Sequence, residues 1–303
     1  MTESKRKDLS NQVIIVTGGN SGVGYEALVE FCAQGAQVIM ASRNEAKAQA
    51  AIKQLQTTQP NAAVTYLPLQ LDDLSSVQAF VKIFTSKFDR LDALVNNAGV
   101  MYGPLQQTSD GFEYQFGINH LGHFALTGLL LPLIKSTPGS RVVMVSSLAH
   151  RGGKMDFENL QFEKPNSYSP QASYGRSKLA NVLFGFELDR KFKEFNIDAQ
   201  SIVVHPGVAK TNLFDQLASG PLKRRVFQLF EIFIQSAKMG ALPTIEAVVN
   251  DTLVGGEFIG PDGFMEIKGQ PKEAKASTAS RSIHDAKLLW KLSEELTKVS
   301  FDL

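Results

Sequence analysis

Tyr174 and Lys178 stand four residues apart in SYGRSKLANVLF (173–184), a stretch that follows Pro170 and runs into an apolar-faced helix. That spacing makes them neighbours on one helical face. Tyr174 is the only one of the six tyrosines with a lysine four positions later. A free phenol titrates near ~10, and a nearby ammonium favours its ionised form. Such a pairing brings the phenol toward working pH, where acid–base catalysis is most effective. A Tyr-Lys pair also arises by chance, so it takes its meaning from its surroundings.

A second stretch with chemical potential is VIIVTGGNSGVG (13–24), a stiff apolar run followed by four glycines within seven residues. Glycine loses more order on folding than any other residue, so something there needs bare backbone. The spacing Thr17-Gly18-x-x-x-Gly22-x-Gly24 joins a strand to a helix, whose first N–H groups and positive dipole end bind phosphate. Gly22 would admit a pyrophosphate and Gly24 would let the helix pack on the sheet, with Asn20, Ser21 and Val23 alongside. The bland alternative is a tight turn without a ligand. The next strand ends MASRN, with Ser42 and Arg43 where an NAD site usually carries an acid. Glu45 has a plain use as a first-turn acid. Arg43 suits a 2′-phosphate by charge and by its forked donors, so the expected cofactor is NADP; a solvated surface arginine is the alternative.

The elements that must position these residues are legible as well. Short β-rich runs recur at 13–17, 36–41, 64–69, 91–96, 141–146, 200–205 and 257–260. Most are continuous apolar runs, as in strands buried on both faces of a parallel sheet. Helical segments lie between them, such as YEALVEFCAQG with its closing Gly35 and SSVQAFVKIFTSKF with its opening serines. The expectation is an α/β doubly wound parallel sheet of Rossmann type, about seven strands, in a single domain spanning 1–303. Residues 1–10 read as a flexible tail, 148–172 as a long loop and 212–238 as an insertion.

The motifs TGxxxGxG, NNAG (96–99), the serine pair after the fifth strand, YxxxK and HPG (205–207) occur together in this order. In that combination the chain resembles the short-chain dehydrogenase/reductase family over nearly its whole length. VSSLAHRGG, YGRSKLANVLF and GPDGF narrow the resemblance to the retinol-dehydrogenase-like branch, as does the 27-residue separation of Ser147 from Tyr174. The resemblance implies Tyr174 as general acid/base, Lys178 lowering its pKa and holding the nicotinamide ribose, and Ser147 positioning the substrate oxygen. Asn119, in INHLGHF, would complete the tetrad by holding a water that relays protons to Lys178, unless it only shapes a helix bend. Ser146 and Ser147 point to opposite sides of an extended chain, and the family match selects Ser147. The resemblance also places Asp72 near the adenine, Asn97 with Ala98 and Gly99 beside the adenosine ribose, and Val208 and Thr211 at the carboxamide. Pro206 and Gly207 shape that last turn. The implied activity interconverts a hydrophobic aldehyde or ketone and its alcohol.

Competing readings remain open. A non-catalytic NADP-binding sensor or scaffold would share the fold. A light-dependent pigment reductase would share the glycine and Tyr-Lys motifs, but such enzymes use loop cysteines and the sole Cys32 here falls on the first helix. His120 and His123 lack a third ligand at suitable spacing, so no metal is expected. Lys plus Arg number 31 and Asp plus Glu 30, so no whole-chain field favours nucleic acid. No apolar run reaches the ~18 residues of a transmembrane helix, and a cytoplasmic location is expected from the single cysteine. FALTGLLLPLI and LANVLFGFEL could pair two copies into a homodimer. The insertion at 212–238 is apolar, split by Ser219-Gly220-Pro221, and reads as a hinged substrate lid. A core helix, a subunit contact or weak membrane-surface docking through Lys223, Arg224 and Arg225 are its alternatives.

Overall fold

The computed structural model describes residues 7–209 and 235–303. Its eight strands form one sheet in the order β3-β2-β1-β4-β5-β6-β7-β8. β1 (Val13–Thr17), β2 (Gln37–Ser42), β3 (Val64–Pro68), β4 (Ala93–Asn96), β5 (Ser140–Val145), β6 (Ala199–Val204) and β7 (Phe258–Pro261) are parallel. β8 (Pro271–Glu273) adds an antiparallel edge that the expectation of about seven strands lacks. Its sequence, Pro-Lys-Glu, carries no apolar run to announce it.

Alternate strand residues feed two cores. Ile15, Ile39 and Leu94 pack under α3 (Leu74–Thr85), α5 (Gly122–Ser136) and α6 (Pro170–Glu194). Ile14, Val38 and Val95 pack under α1 (Gly22–Ala33), α2 (Glu45–Thr58) and α7 (Ala237–Val249). The strand order reverses between β1 and β4, which opens a crevice at the carboxyl ends of the strands.

Three expectations change on contact with the fold. Leu9 is fully buried and its N–H donates to the Gln34 carbonyl at 2.8 Å, so the chain is pinned at Leu9 rather than free through residue 10. The 148–172 loop opens with a 3-10 turn, Leu148–Gly152, and ends inside α6. It is fastened by buried Arg176, which donates to the carbonyls of Lys154, Asn159 and Leu160 at 3.1, 2.7 and 2.7 Å. The two apolar helix faces invoked for a homodimer are covered within the chain. Leu289 and Trp290 of α8 (Ile283–Thr297) pack in the clusters that hold Leu183 and Phe184. Phe301 sits 4.9 Å from Phe124, and a Cβ on Gly128 would lie only 2.7 Å from the side chains of Val299 and Phe301.

Among the described residues one helix, Tyr114–Ser136, is long and apolar enough to cross a membrane, but 83% of its apolar window is buried inside the fold. It combines a short α4 (Tyr114–Phe116), a π-turn at Gly117–Leu121 and α5.

Candidate active site

A cleft of about 940 Å³ runs along the carboxyl edge of the sheet. Gly18, Asn20, Ser21, Gly22, Val23 and Gly24 line one part of it. Gly18 and Gly22 have φ of +67° and +57°, the left-handed region that favours glycine. Ser21 precedes α1 in extended conformation, and the first turn of α1 carries no acid, so its N–H groups face the cleft without a competing charge. The space at Gly24 serves a different neighbour from the one expected: a Cβ there would run into Asn97 Nδ2 rather than into the sheet.

Asn97 and Ala98 are stapled to the end of β1. Thr17 Oγ1 accepts from both of their backbone N–H groups at 2.9 Å, and Asn97 Nδ2 donates to the Thr17 carbonyl at 2.8 Å. His123 Nδ1 donates to the Asn119 carbonyl at 3.1 Å, which leaves Nε2 to accept from the Thr17 hydroxyl at 2.9 Å. Burial pushes His123 down to about 4 and His120 down to about 3, so both rings are neutral packing and bridging groups. No metal-holding group of side chains exists among the described residues.

At the adenosine end, Asp72 lines the cleft, while its neighbour Asp73 caps α3 by accepting from Ser75 and Ser76. The helix start therefore uses the other acid, and the serines are capped rather than capping. Arg43 and Lys47 line the cleft beside the first turn of α2, which Asn44 caps. Arg43 is exposed, its Nη1 donating to the Tyr114 hydroxyl at 3.3 Å.

At the other end α6 begins behind Ser169 as N-cap and Pro170, and it raises Tyr174 and Lys178 one turn apart. Gly153 lets the loop after Ser147 approach this helix, since a Cβ there would collide with the Gly175 carbonyl. Ser147 lies beside Tyr174, whose phenol it pulls downward in pKa, and its Oγ accepts from the Ala149 N–H at 3.2 Å. Ser146 is buried on the opposite side, donating to the Lys178 carbonyl at 2.8 Å. Lys178 Nζ donates to the Val145 carbonyl at 3.1 Å and stands 5.8 Å from the centre of the Tyr174 ring.

Burial, however, governs the ionisation of the pair. It pushes Tyr174 up to about 12 against the downward pull of Ser147, and Lys178 down to about 8. Burial outweighs the lowering of the phenol expected from the ammonium, because both charged forms are withdrawn from water.

Asn119 lies in the π-turn with its side chain committed. Oδ1 accepts from the Val100 N–H at 2.8 Å, and Nδ2 donates to the Val100 carbonyl and to Ser177 Oγ, each at 2.9 Å. Both amide protons are engaged, so the side chain clamps the loop after β4 to α6. Gly99 completes this floor: a Cβ there would sit 3.2 Å from Asn119 Oδ1 and 3.4 Å from Lys178 Nζ.

Pro206, Gly207 and Val208 line the cleft beyond Tyr174. Gly207 has φ +64°, and Val208 N–H donates to the Ile267 carbonyl at 2.8 Å. Gly207 N–H donates to His205 Nδ1 at 3.2 Å, so Nε2–H of that ring faces Glu266 Oε2 at 3.1 Å. Thr211 and residues 212–234 of the expected lid lie outside the described residues; the chain leaves at Ala209 and returns at Gln235, which pair side by side. Sequence reasoning missed Lys47, Met101, Tyr102, Leu148 and Ala149 on the cleft wall. Their only signal was adjacency to Arg43, NNAG and the serine pair.

The family model described as short chain dehydrogenase matches residues 12–221. Among curated proteins, human retinol dehydrogenase 11 is 38% identical over 97% of this chain and 88% of its own length. Human retinol dehydrogenase 12 is 36% identical over 97% and 89%. Among solved structures, an uncharacterised protein from Mycobacterium paratuberculosis superposes with a TM-score of 0.82 at 36% identity, covering 99% of this chain and 98% of that one. Pseudomonas aeruginosa RhlG, solved as an NADP active-site complex, superposes at 0.69 with 20% identity, over 86% and 98%.

Proposed function

The chain belongs to the short chain dehydrogenase family, in its retinol-dehydrogenase-like branch, and is an oxidoreductase; from that premise we propose that it uses NADP(H) to interconvert a hydrophobic aldehyde or ketone and its alcohol. The observation that carries the reading is the meeting of Ser147, Tyr174 and Lys178 at one end of a cleft whose other parts hold left-handed glycines and a bare helix start.

The cleft fits the cofactor. Gly18 and Gly22 leave backbone N–H groups open at the start of α1 for the pyrophosphate, and Arg43 with Lys47 supplies cations where an acid would favour NAD. Neighbours solved with NADP support the same choice. Asp72 and the Asn97–Gly99 turn would hold the adenosine portion, Lys178 the nicotinamide ribose, and Pro206–Val208 the carboxamide. Bound there, NADP(H) supplies or accepts the hydride.

Tyr174 keeps its proton at neutral pH, since burial has raised it to about 12. A protonated phenol is the acid that a carbonyl oxygen requires as it becomes an alcohol. Ser147, beside that phenol, orients the oxygen. Lys178 has both its charge and its bond to Val145 behind Tyr174, which steadies the phenolate left after proton transfer. Met101, Leu148, Ala149 and Val208 add apolar lining to the cleft that holds Tyr174, which supports a hydrophobic substrate, as do the names of the relatives. The buried lone Cys32 suits a reducing, cytoplasmic setting. The test is NADPH oxidation across aldehydes, ketones and quinones by wild type and Tyr174→Phe. Turnover that survives the substitution refutes the mechanism.

A further inference from the structure

Tyr102 has a backbone that a bulky residue rarely adopts. Its φ is +58°, in the left-handed region, where an L side chain crowds its own carbonyl. Strain of this kind persists only where the surroundings over-determine it. They do so here. Tyr102 N–H donates to Gln115 Oε1 at 2.9 Å, and the next carbonyl, Gly103, accepts from the Tyr168 hydroxyl at 2.6 Å. Gln115 is itself buried, and its Nε2 donates to the Tyr168 oxygen at 3.2 Å and to the Pro170 carbonyl at 3.1 Å. The clasp thus joins α4, the end of the 148–172 loop and the N-terminus of α6 around one strained residue.

The strain fixes the direction of a ring. Tyr102 lines the cleft, half-buried, with its ring centre 5.2 Å from that of Tyr174 and the two planes at 64°. Its hydroxyl bonds no described residue, so the clasp acts on its backbone alone. An aromatic ring beside the proton donor, in a cleft whose lining also includes the apolar side chains of Met101, Leu148 and Ala149, offers an aromatic face at the reacting end. Flat conjugated molecules gain contact against such a face, whereas globular ones are held away from it.

We propose that Tyr102, held by the Gln115–Tyr168 clasp, is the specificity-determining residue of this reaction and selects flat, conjugated carbonyl compounds over globular ones. The inference rests on Tyr174 being the proton donor. The test compares NADPH-dependent reduction of 2-naphthaldehyde and 1-adamantanecarbaldehyde, which have equal carbon counts. Wild type favours the flat aldehyde in kcat/KM by about tenfold or more, the scale of a pocket contact. Tyr102→Gly tolerates the left-handed backbone, so it folds. In that variant the flat aldehyde loses about tenfold, chiefly through KM, while the globular one gains severalfold as the wall recedes. Tyr102→Phe retains the selectivity ratio, and Tyr168→Phe, which releases the Gly103 carbonyl, narrows it. NADPH affinity, read by its fluorescence, stays within about twofold in Tyr102→Gly, since the ring faces substrate. Equal changes for both aldehydes, or a selectivity ratio that survives Tyr102→Gly, overturns the inference. Activity in Tyr174→Phe would instead overturn the underlying mechanism, and the two failures are separately visible.

Discussion

Acid should unfold this protein earlier than its carboxylates alone require, because His120 and His123 fold uncharged. An unfolded histidine titrates near ~6.5. Burial holds His120 at about 3 and His123 at about 4 in the fold. Between those values and ~6.5 the unfolded chain takes up protons that the folded chain refuses. The stability is therefore complete above ~6.5 and is lost as pH falls below it. At pH 5, about 1.5 pH units below the free value, each ring withholds about 2 kcal/mol and the two together about 4 kcal/mol. That is a large part of the ~5–15 kcal/mol that holds a domain folded. Urea unfolding at pH 7.5, 6 and 5 reads the effect. His120→Phe isolates one half of it, because the ring already packs against Phe116, Phe124 and Phe184. The variant loses the bond to Ser293, so it starts less stable, but its loss between pH 7.5 and 5 should be smaller by about 2 kcal/mol. Glu113 and Asp189, both raised by burial, act in the opposite sense but are common to the two proteins and cancel in the difference. Parallel stability curves for wild type and His120→Phe would refute the reasoning.

Arg43→Asp should cost NADPH roughly ten- to hundredfold in affinity, the worth of a charge-assisted contact, and erase any preference over NADH. Comparable dissociation constants for the two cofactors in the wild type would sink the NADP assignment. Tyr174→Phe should lower kcat by about 10² to 10⁴ while leaving NADPH binding measurable by fluorescence; Lys178→Ala should damage both. Arg176→Ala strips three carbonyls of a buried guanidinium and should cost about 3 kcal/mol or more in urea unfolding, with an unchanged midpoint contradicting its anchoring role.

The sheet was legible because parallel strands buried on both faces cannot hide. Val13–Thr17 and Ser140–Val145 are buried along their whole lengths, and both runs stand out in the sequence. β8 was illegible for the converse reason: three partly exposed residues pair only with an edge strand, so nothing selects an apolar pattern there. Helix faces misled in one respect. The apolar side of α6 identified a surface needing cover, yet a sequence pattern does not say whether the cover is a second copy or the same chain. Here Trp290 and Phe301 supply it, from more than a hundred residues downstream.

The site divides along the same line. Residues that act through backbone geometry or spacing were recoverable: Gly18 and Gly22 take positive φ, and Tyr174 and Lys178 share one face of α6. Residues that act through long-range neighbours were not. Tyr102 reaches Tyr174 across 72 positions because Gln115 and Tyr168 hold its backbone. Asn119 was assigned a relay water by resemblance, but nothing in the sequence showed that its amide is spent on Val100 and Ser177. Electrostatics was the least legible property of all. Spacing puts an ammonium near a phenol and so suggests a lowered pKa, but burial is a property of the whole fold and acts on both groups at once. Its result, Tyr174 near 12 and Lys178 near 8, leaves the phenol protonated, whereas spacing alone had suggested an easily ionised one.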